Sequence, residues 1–396
     1  IAEHLSKKIA KGAILVFLGM IFGRLIGYLY VMLVARLGSS QYGILSLGIA
    51  IVSFLSALAT LGLDEGVLRY ISYYKGKEDK SRIKGAIVSS LRIVIPLSLF
   101  FSLIMFIFSK QIATKFSSGN ELIPILKIFS FVLPFMVVRN IFLVSMRALQ
   151  KVKYEITVKE FIERLTRLIL TFILIYLGYK VFGAALAYLL AVLVSFVFSI
   201  YFLEKKVFPI FKKEIKSIVY QKELLSYSLP LLLGGFLVLI MSWIDTLMLG
   251  IFRTVSEVGI YNVASPTAQL MLMAPTALIF LFIPIITELY GKKELFGIKK
   301  VYKTTSKWIF LINLPLFLLM ILFSKQLLRI LFGNEYIAGY SILIILSLGF
   351  IFYSLSFTSS GILNMLKKSR LILYICLSFT LLNILLNYLL IPKYGM

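Results

Sequence analysis

The sequence predicts an all-α polytopic membrane protein of two pseudo-symmetric six-helix bundles, with eleven spans present and the twelfth missing from this chain. Three observations predict it. Hydrophobic residues make up 60% of the 396 and mean hydropathy is +0.98, whereas soluble domains hold about 45–50% apolar residues. The apolar runs are about the 20 residues that a crossing helix needs, and too long for the ~10-residue strands of an outer-membrane barrel. The third observation is an internal repeat. Phe108-Ser109-Lys110-Gln111 returns as Phe323-Ser324-Lys325-Gln326, Gly119-Asn120-Glu121 as Gly333-Asn334-Glu335, and Tyr42-Gly43 as Val258-Gly259, at offsets of 215, 214 and 216. An offset of six spans keeps both halves in one orientation, related by an axis along the membrane normal.

Residues 1–203 are expected to form the N-terminal bundle, with spans near 12–35, 42–63, 84–108, 123–146, 157–178 and 181–203. Residues 204–227 follow as a basic amphipathic linker on the cytosolic leaflet, mixing Lys205, Lys206, Lys212, Lys213 and Lys216 with Val207, Phe208, Phe211, Ile215, Ile218 and Val219. Residues 228–396 hold the C-terminal bundle, with spans near 228–252, 258–288, 305–324, 337–365 and 371–391. Position 396 corresponds by the repeat to 181, where the sixth span starts, so the twelfth helix is expected to follow it. The chain opens on Ile1 without a visible cleavable signal peptide, and the N-terminus is expected to be trimmed. Prolines recur inside the spans, and Pro266, Pro275 and Pro284 are expected to bend one long segment.

The net charge is +25. In a soluble protein this would point to nucleic acid; here most lysines lie in loops between apolar spans, where they set topology and attract anionic head groups. Alternate loops hold 28 basic residues on one side and eight on the other, which places the N-terminus in the cytosol of a cell membrane. Cys376 is the only cysteine and His4, before the first span, the only histidine. No disulfide, zinc or haem site fits within one chain, and a Ser-His or Cys-His catalytic pair is not expected. The reading is a monomeric non-enzyme without cofactor, metal or nucleic-acid partner.

Six basic residues remain within spans. Lys127 lies near an outer end and can snorkel. The other five are arginines of the first half: Arg24, Arg92, Arg139, Arg164 and Arg167. Each costs about 2.5–3.5 kcal/mol at a helix centre, so intramembrane charge of one sign points to a pathway for an anion. At 1.5 Å per residue Arg24 lies roughly 18 Å deep and Arg167 roughly 15 Å, while Arg92, Arg139 and Arg164 lie about 10–12 Å from cytosolic ends. These depths predict a positive funnel with Arg24 and Arg167 at its floor and the other three at its rim. The bland readings are snorkelling for the shallow three and i, i+4 ion pairs Glu160–Arg164 and Glu163–Arg167 on the fifth span. At the matching repeat positions stand Ile240, Ile309, Tyr353, Ser378 and Leu381, so the fold needs no arginines there. The second half's deep charge is Asp245, which either pairs with an arginine across the cleft or binds a coupling cation or proton. Gly19, Gly23 and Gly27 make a small-residue stripe that either packs closely or clears space beside Arg24. Asn313, Asn364, Asn383 and Asn387 are read as interhelical hydrogen bonds or sugar contacts.

Short motifs add a resemblance. The run Ala35-Arg36-Leu37-Gly38-Ser39-Ser40-Gln41-Tyr42-Gly43, Leu61-Gly62-Leu63 with Arg69-Tyr70, Arg147-Ala148-Leu149-Gln150 and Ile391-Pro392-Lys393-Tyr394-Gly395-Met396 resembles polysaccharide-export flippases. It implies the multidrug/oligosaccharidyl-lipid/polysaccharide (MOP) superfamily, with a MATE-like pair of bundles around a V-shaped cavity, and within it the Wzx-type flippases. Such relatives move polyprenyl-(pyro)phosphate oligosaccharides from the cytoplasmic to the outer leaflet by alternating access. The implied partners are an anionic lipid-linked glycan, membrane lipids and a coupling cation or proton. A lipid II flippase and a cation-coupled multidrug exporter stand as alternatives. A membrane glycosyltransferase would need acidic or histidine-bearing outer loops, and these hold only Glu121, Glu257 and Glu335.

Overall fold

The computed structural model describes residues 19, 21–366 and 368–396. His4, Lys7, Lys8, Lys11, the start of the first span and Lys367 lie outside the described residues. Among those described the chain is all helix and turn, with no strand. In order the helices are α1 (Ile21–Ala35), α2 (Ser39–Thr60), α3 (Leu63–Gly76), α4 (Lys80–Ile107), α5 (Ser109–Ala113), α6 (Leu122–Ala148), α7 (Val152–Ile156), α8 (Arg164–Tyr176) and α9 (Lys180–Phe202). Then come α10 (Gln221–Phe252), α11 (Val255–Ala268), α12 (Met273–Gly291), α13 (Leu295–Leu322), α14 (Ser324–Leu331), α15 (Tyr340–Met365) and α16 (Ser369–Tyr394). Eight helices among the described residues are long and apolar enough to cross a membrane.

The repeat extends to helix bounds. The helices α4 and α13 are both 28 residues long and start 215 positions apart. The pair α2 and α3 is matched by α11 and α12. Each pair is one long path broken midway, by Leu61 and Gly62 with positive φ in the first and by the 3-10 turn Gln269–Leu272 in the second. That second break falls between Pro266 and Pro275, since a proline deprives the ladder of an N–H and favours a bend. In the first bundle α6 packs against α2, α4 and α9; in the second α15 packs against α11, α12 and α13. Between the bundles the chain runs without regular helix from 208 to 220. There the Glu204 carboxylate accepts from the Ile210 and Phe211 amides at 2.6 and 3.1 Å.

The bundles meet at the N-terminal ends of α2 and α11. Gly43 lies against the Val255 carbonyl and Gly259 against that of Ser39, so any side chain at either glycine would strike backbone. The motif Tyr42-Gly43 thus meets its own repeat copy, Val258-Gly259, across the pseudo-twofold axis. Hydrogen bonds edge this seam. Ser39 Oγ is 2.7 Å from Ser256 Oγ. Glu335 accepts from the Ser39 amide and hydroxyl at 2.8 and 3.0 Å. The Tyr336 hydroxyl donates to the Ala35 carbonyl at 2.8 Å.

Candidate functional site between the bundles

The first helix presents distinct faces. Gly19, Gly23 and Gly27 fall on one side because four residues are close to one turn. That side packs on the path of residues 152–176. A side chain at Gly19 would strike Ile156, one at Gly23 the Glu160 carboxylate, and one at Gly27 the Arg164 guanidinium. The glycine stripe is a packing face, and what it admits is charge. A second face meets the other bundle: Tyr28 Oη lies 3.0 Å from Thr267 Oγ1, and its ring stands edge-on to Phe332 at 5.9 Å. Arg24 is one turn from Tyr28 and shares this face. Phe22, Leu25 and Leu29 are exposed on a third face. Arg24 is therefore on the face of α1 that meets the other bundle.

The partner path is interrupted. Between α7 and α8, Thr157–Glu163 winds as a π-helix, with i→i+5 bonds and a wider turn. On an α-helix Glu160 and Glu163 would lie about 300° apart, nearly on one face; the wider turn splays them. Glu160 stays on the α1 side and pairs with Arg164 at 2.9 Å. Arg164 also donates to the Gly23 carbonyl. Glu163 turns away to pair with Arg139 of α6 and accepts from Ser195 of α9 at 3.3 Å. The expected Glu160–Arg164 pair is present, whereas the expected Glu163–Arg167 pair is replaced by one between helices.

Arg167 instead lies between two aromatic faces, its guanidinium carbon 4.7 Å from the Tyr30 ring centre and 5.1 Å from that of Tyr188. This is cation–π geometry. Its Nε and the Tyr30 hydroxyl have no hydrogen-bond partner among the described residues. Arg139 is buried, with 5% of its surface exposed, and also donates to Asn140 Oδ1 at 3.1 Å. Arg92 stands apart. It is exposed on α4, in one stripe with the exposed Ile95, Leu99, Leu103 and Phe106, and this apolar face suits a snorkelling side chain.

Four of the five arginines thus come together: Arg24, Arg139, Arg164 and Arg167, against two carboxylates, Glu160 and Glu163. The cluster is two positive charges in excess. Arg24 and Arg167 have no bonded carboxylate among the described residues, although Glu160 lies against Gly23, the residue before Arg24. The expected floor and rim are rearranged. Arg139 is buried rather than rim-like, Arg92 lies on an apolar face, and Arg164 lies against the bare backbone at Gly23, the residue before Arg24.

Asp245 of α10 has no arginine partner among the described residues. One carboxylate oxygen accepts from Tyr261 at 2.5 Å; the other accepts from Asn383 at 3.2 Å and Asn387 at 2.6 Å. The cluster joins α10, α11 and α16 inside the second bundle. Two of the four asparagines singled out in sequence thus surround an acid, while Asn313 is fully buried with no hydrogen-bond partner among the described residues. Sequence reasoning missed Tyr28, Tyr30, Tyr188 and Tyr261. A signal was present in the four-residue step from Arg24 to Tyr28, which puts both on one helix face.

Comparisons with known proteins agree with this architecture. Residues 9–290 match the family described as polysaccharide biosynthesis protein, and residues 230–389 match the MatE family. An uncharacterized membrane protein of Methanocaldococcus jannaschii is 28% identical over 372 residues, covering 87% of this chain and 71% of the relative. A probable low-salt glycan biosynthesis flippase of Haloferax volcanii, Agl15, is 26% identical, covering 98% and 78%. Among solved structures, the lipid II flippase MurJ in an inward closed conformation shares the fold with a TM-score of 0.76 at 16% identity, covering 96% of this chain and 82% of that one.

Proposed function

We propose a substrate from one premise: the chain belongs to the polysaccharide biosynthesis protein family and is a multi-pass membrane flippase or transporter of the MOP superfamily. Its passenger is a polyprenyl-(pyro)phosphate-linked oligosaccharide, moved from the cytoplasmic to the outer leaflet by alternating access of the two bundles. The observation that carries this reading is Arg24, an arginine on the inter-bundle face with no carboxylate bonded to it, inside a cluster of excess positive charge. A guanidinium fork binds phosphate oxygens bidentately. The glycan flippase named among the relatives supports the sugar-bearing head group. The loop-charge asymmetry supports a cytosolic N-terminus, which puts the linker on the cytosolic leaflet.

Asp245 takes the coupling role. Its carboxylate is held by neutral donors rather than by an arginine, so it is available to a cation or a proton. The bundles then divide the chemistry, with the anion in the first and the coupling charge in the second. Reconstitution into liposomes with a fluorescent polyprenyl-diphosphate glycan tests the assignment. Arg24→Ala is expected to lower translocation about 100-fold or more, as removal of a single essential oxyanion donor does elsewhere, while membrane insertion persists. A wild-type rate in Arg24→Ala overturns the assignment. Competition by lipid II in the same assay separates the two lipid-linked head groups.

A further inference from the structure

We propose that Glu160 is a resident counter-anion that the substrate's phosphate displaces. This rests on the phosphate reading of the arginine cluster and adds a residue to it. Four observations place Glu160 in that role. Its carboxylate bonds Arg164 at 2.9 Å. Arg24, the residue after Gly23, stands beside this carboxylate on the face that meets the other bundle. Glu160 lies directly on Gly23, where any side chain would exclude it. Finally, it stands on the π segment that turns its neighbour Glu163 away to a different helix.

The two ion pairs differ in access. Side-chain exposure is 6% for Arg139 and 25% for Arg164, each with a glutamate at 11%. The pair Arg139–Glu163 is enclosed and holds α6 to the 152–176 path. The pair Arg164–Glu160 is open on its arginine side. An approaching phosphate reaches Arg24 and Arg164 together and meets Glu160 as a competitor of the same sign. A phosphate carries more charge than one carboxylate and accepts bidentate bonds from each guanidinium, so it takes both arginines. Glu160 must then leave Gly23. Because that contact ties α1 to the 152–176 path, phosphate arrival loosens the packing of the helix bearing Arg24, and phosphate departure restores it. Without the carboxylate, the arginines would hold phosphate more tightly and release it slowly.

The test uses the full chain in nanodiscs, with a polyprenyl-diphosphate oligosaccharide and, separately, inorganic pyrophosphate as probes. Glu160→Gln is expected to bind the lipid-linked probe at least tenfold more tightly than wild type, with slower release and a translocation rate reduced at least fivefold. A purely structural glutamate would give weaker binding, because its loss disorders the arginines. Glu160→Asp keeps the charge one methylene short and is expected to tighten binding two- to fivefold; it decides the matter if Glu160→Gln fails to fold. Equal or weaker binding in the folded variant overturns the proposal. Failure of wild type to bind either probe overturns the phosphate reading itself, and the two failures are thus distinct.

Discussion

The interiors of the two bundles are built on the same repeat and carry opposite charge. In the first, Arg24, Arg139, Arg164 and Arg167 outnumber Glu160 and Glu163, and Arg24 is on the face that meets the other bundle. In the second, a single carboxylate, Asp245, is surrounded by a tyrosine and two asparagines. The helices that frame the two interiors follow the same order, with α4 and α13 of equal length, so neither charge set is demanded by the fold. Leu381 and Tyr353, at the positions that match Arg167 and Arg139, are exposed apolar or aromatic side chains. The difference teaches that specialisation came through side chains on a doubled scaffold. An ion that is kept in a membrane interior at a cost of a few kcal/mol needs a function or a partner. The first bundle supplies partners for some arginines and withholds them from others.

The sharpest way to break this comparison is to reverse its sign. Arg24→Glu should abolish translocation of a polyprenyl-diphosphate glycan, a fall of about 1000-fold given the loss of an oxyanion donor and the gain of a repelling charge. Measurable flux would show that the passenger does not meet the first bundle. Next in size is Asp245→Asn, which keeps shape and removes charge. Translocation should drop about tenfold and lose its dependence on a sodium or proton gradient, while pyrophosphate binding stays unchanged; preserved gradient dependence would remove the coupling role from the second bundle. A stability test separates the enclosed pair from the open one. Arg139→Met should destabilise the protein by about 3 kcal/mol by leaving Glu163 buried and unpaired, read as a fall in thermal midpoint. The double variant Arg139→Met, Glu163→Gln should recover part of that loss. The smallest effect belongs to Arg92. Because it lies on an apolar face, Arg92→Ala should change translocation less than about twofold; a large loss would move Arg92 into the site.

Much of this architecture was legible before any coordinates. The repeat of Phe-Ser-Lys-Gln and Gly-Asn-Glu located two matching bundles, and the helix bounds keep the same offset. The sign of the interior charge was legible too, because a residue's identity does not depend on its surroundings. Faces and partners were less so. The pairing of Glu163 with Arg167 was read from α-helical spacing, and a π turn in the same segment redirects Glu163 to Arg139. Nothing in the residues Thr157–Glu163 advertises that change of winding, which is found where the segment packs against α9. Depth counted along a helix likewise grouped Arg92 with Arg139, although one is exposed beside leucines and the other is buried. Depth says how far a charge lies from an end, and only azimuth says whether it meets lipid, cleft or core.

The glycine seam has an electrical consequence. Where Gly43 and Gly259 press backbone against backbone there is no room even for a side chain, and a membrane voltage falls across closed contacts of this kind rather than along wetted regions. In the proposed orientation, with the N-terminus cytosolic, an inside-negative potential pushes an anion towards that barrier and outward. The gain is about 2.3 kcal/mol for each charge moved through 100 mV. On the proposed function, a diphosphate held at Arg24 experiences a standing field in its direction of travel. The voltage dependence of flux, compared between monophosphate- and diphosphate-linked passengers, should report how much charge crosses the seam each time it opens.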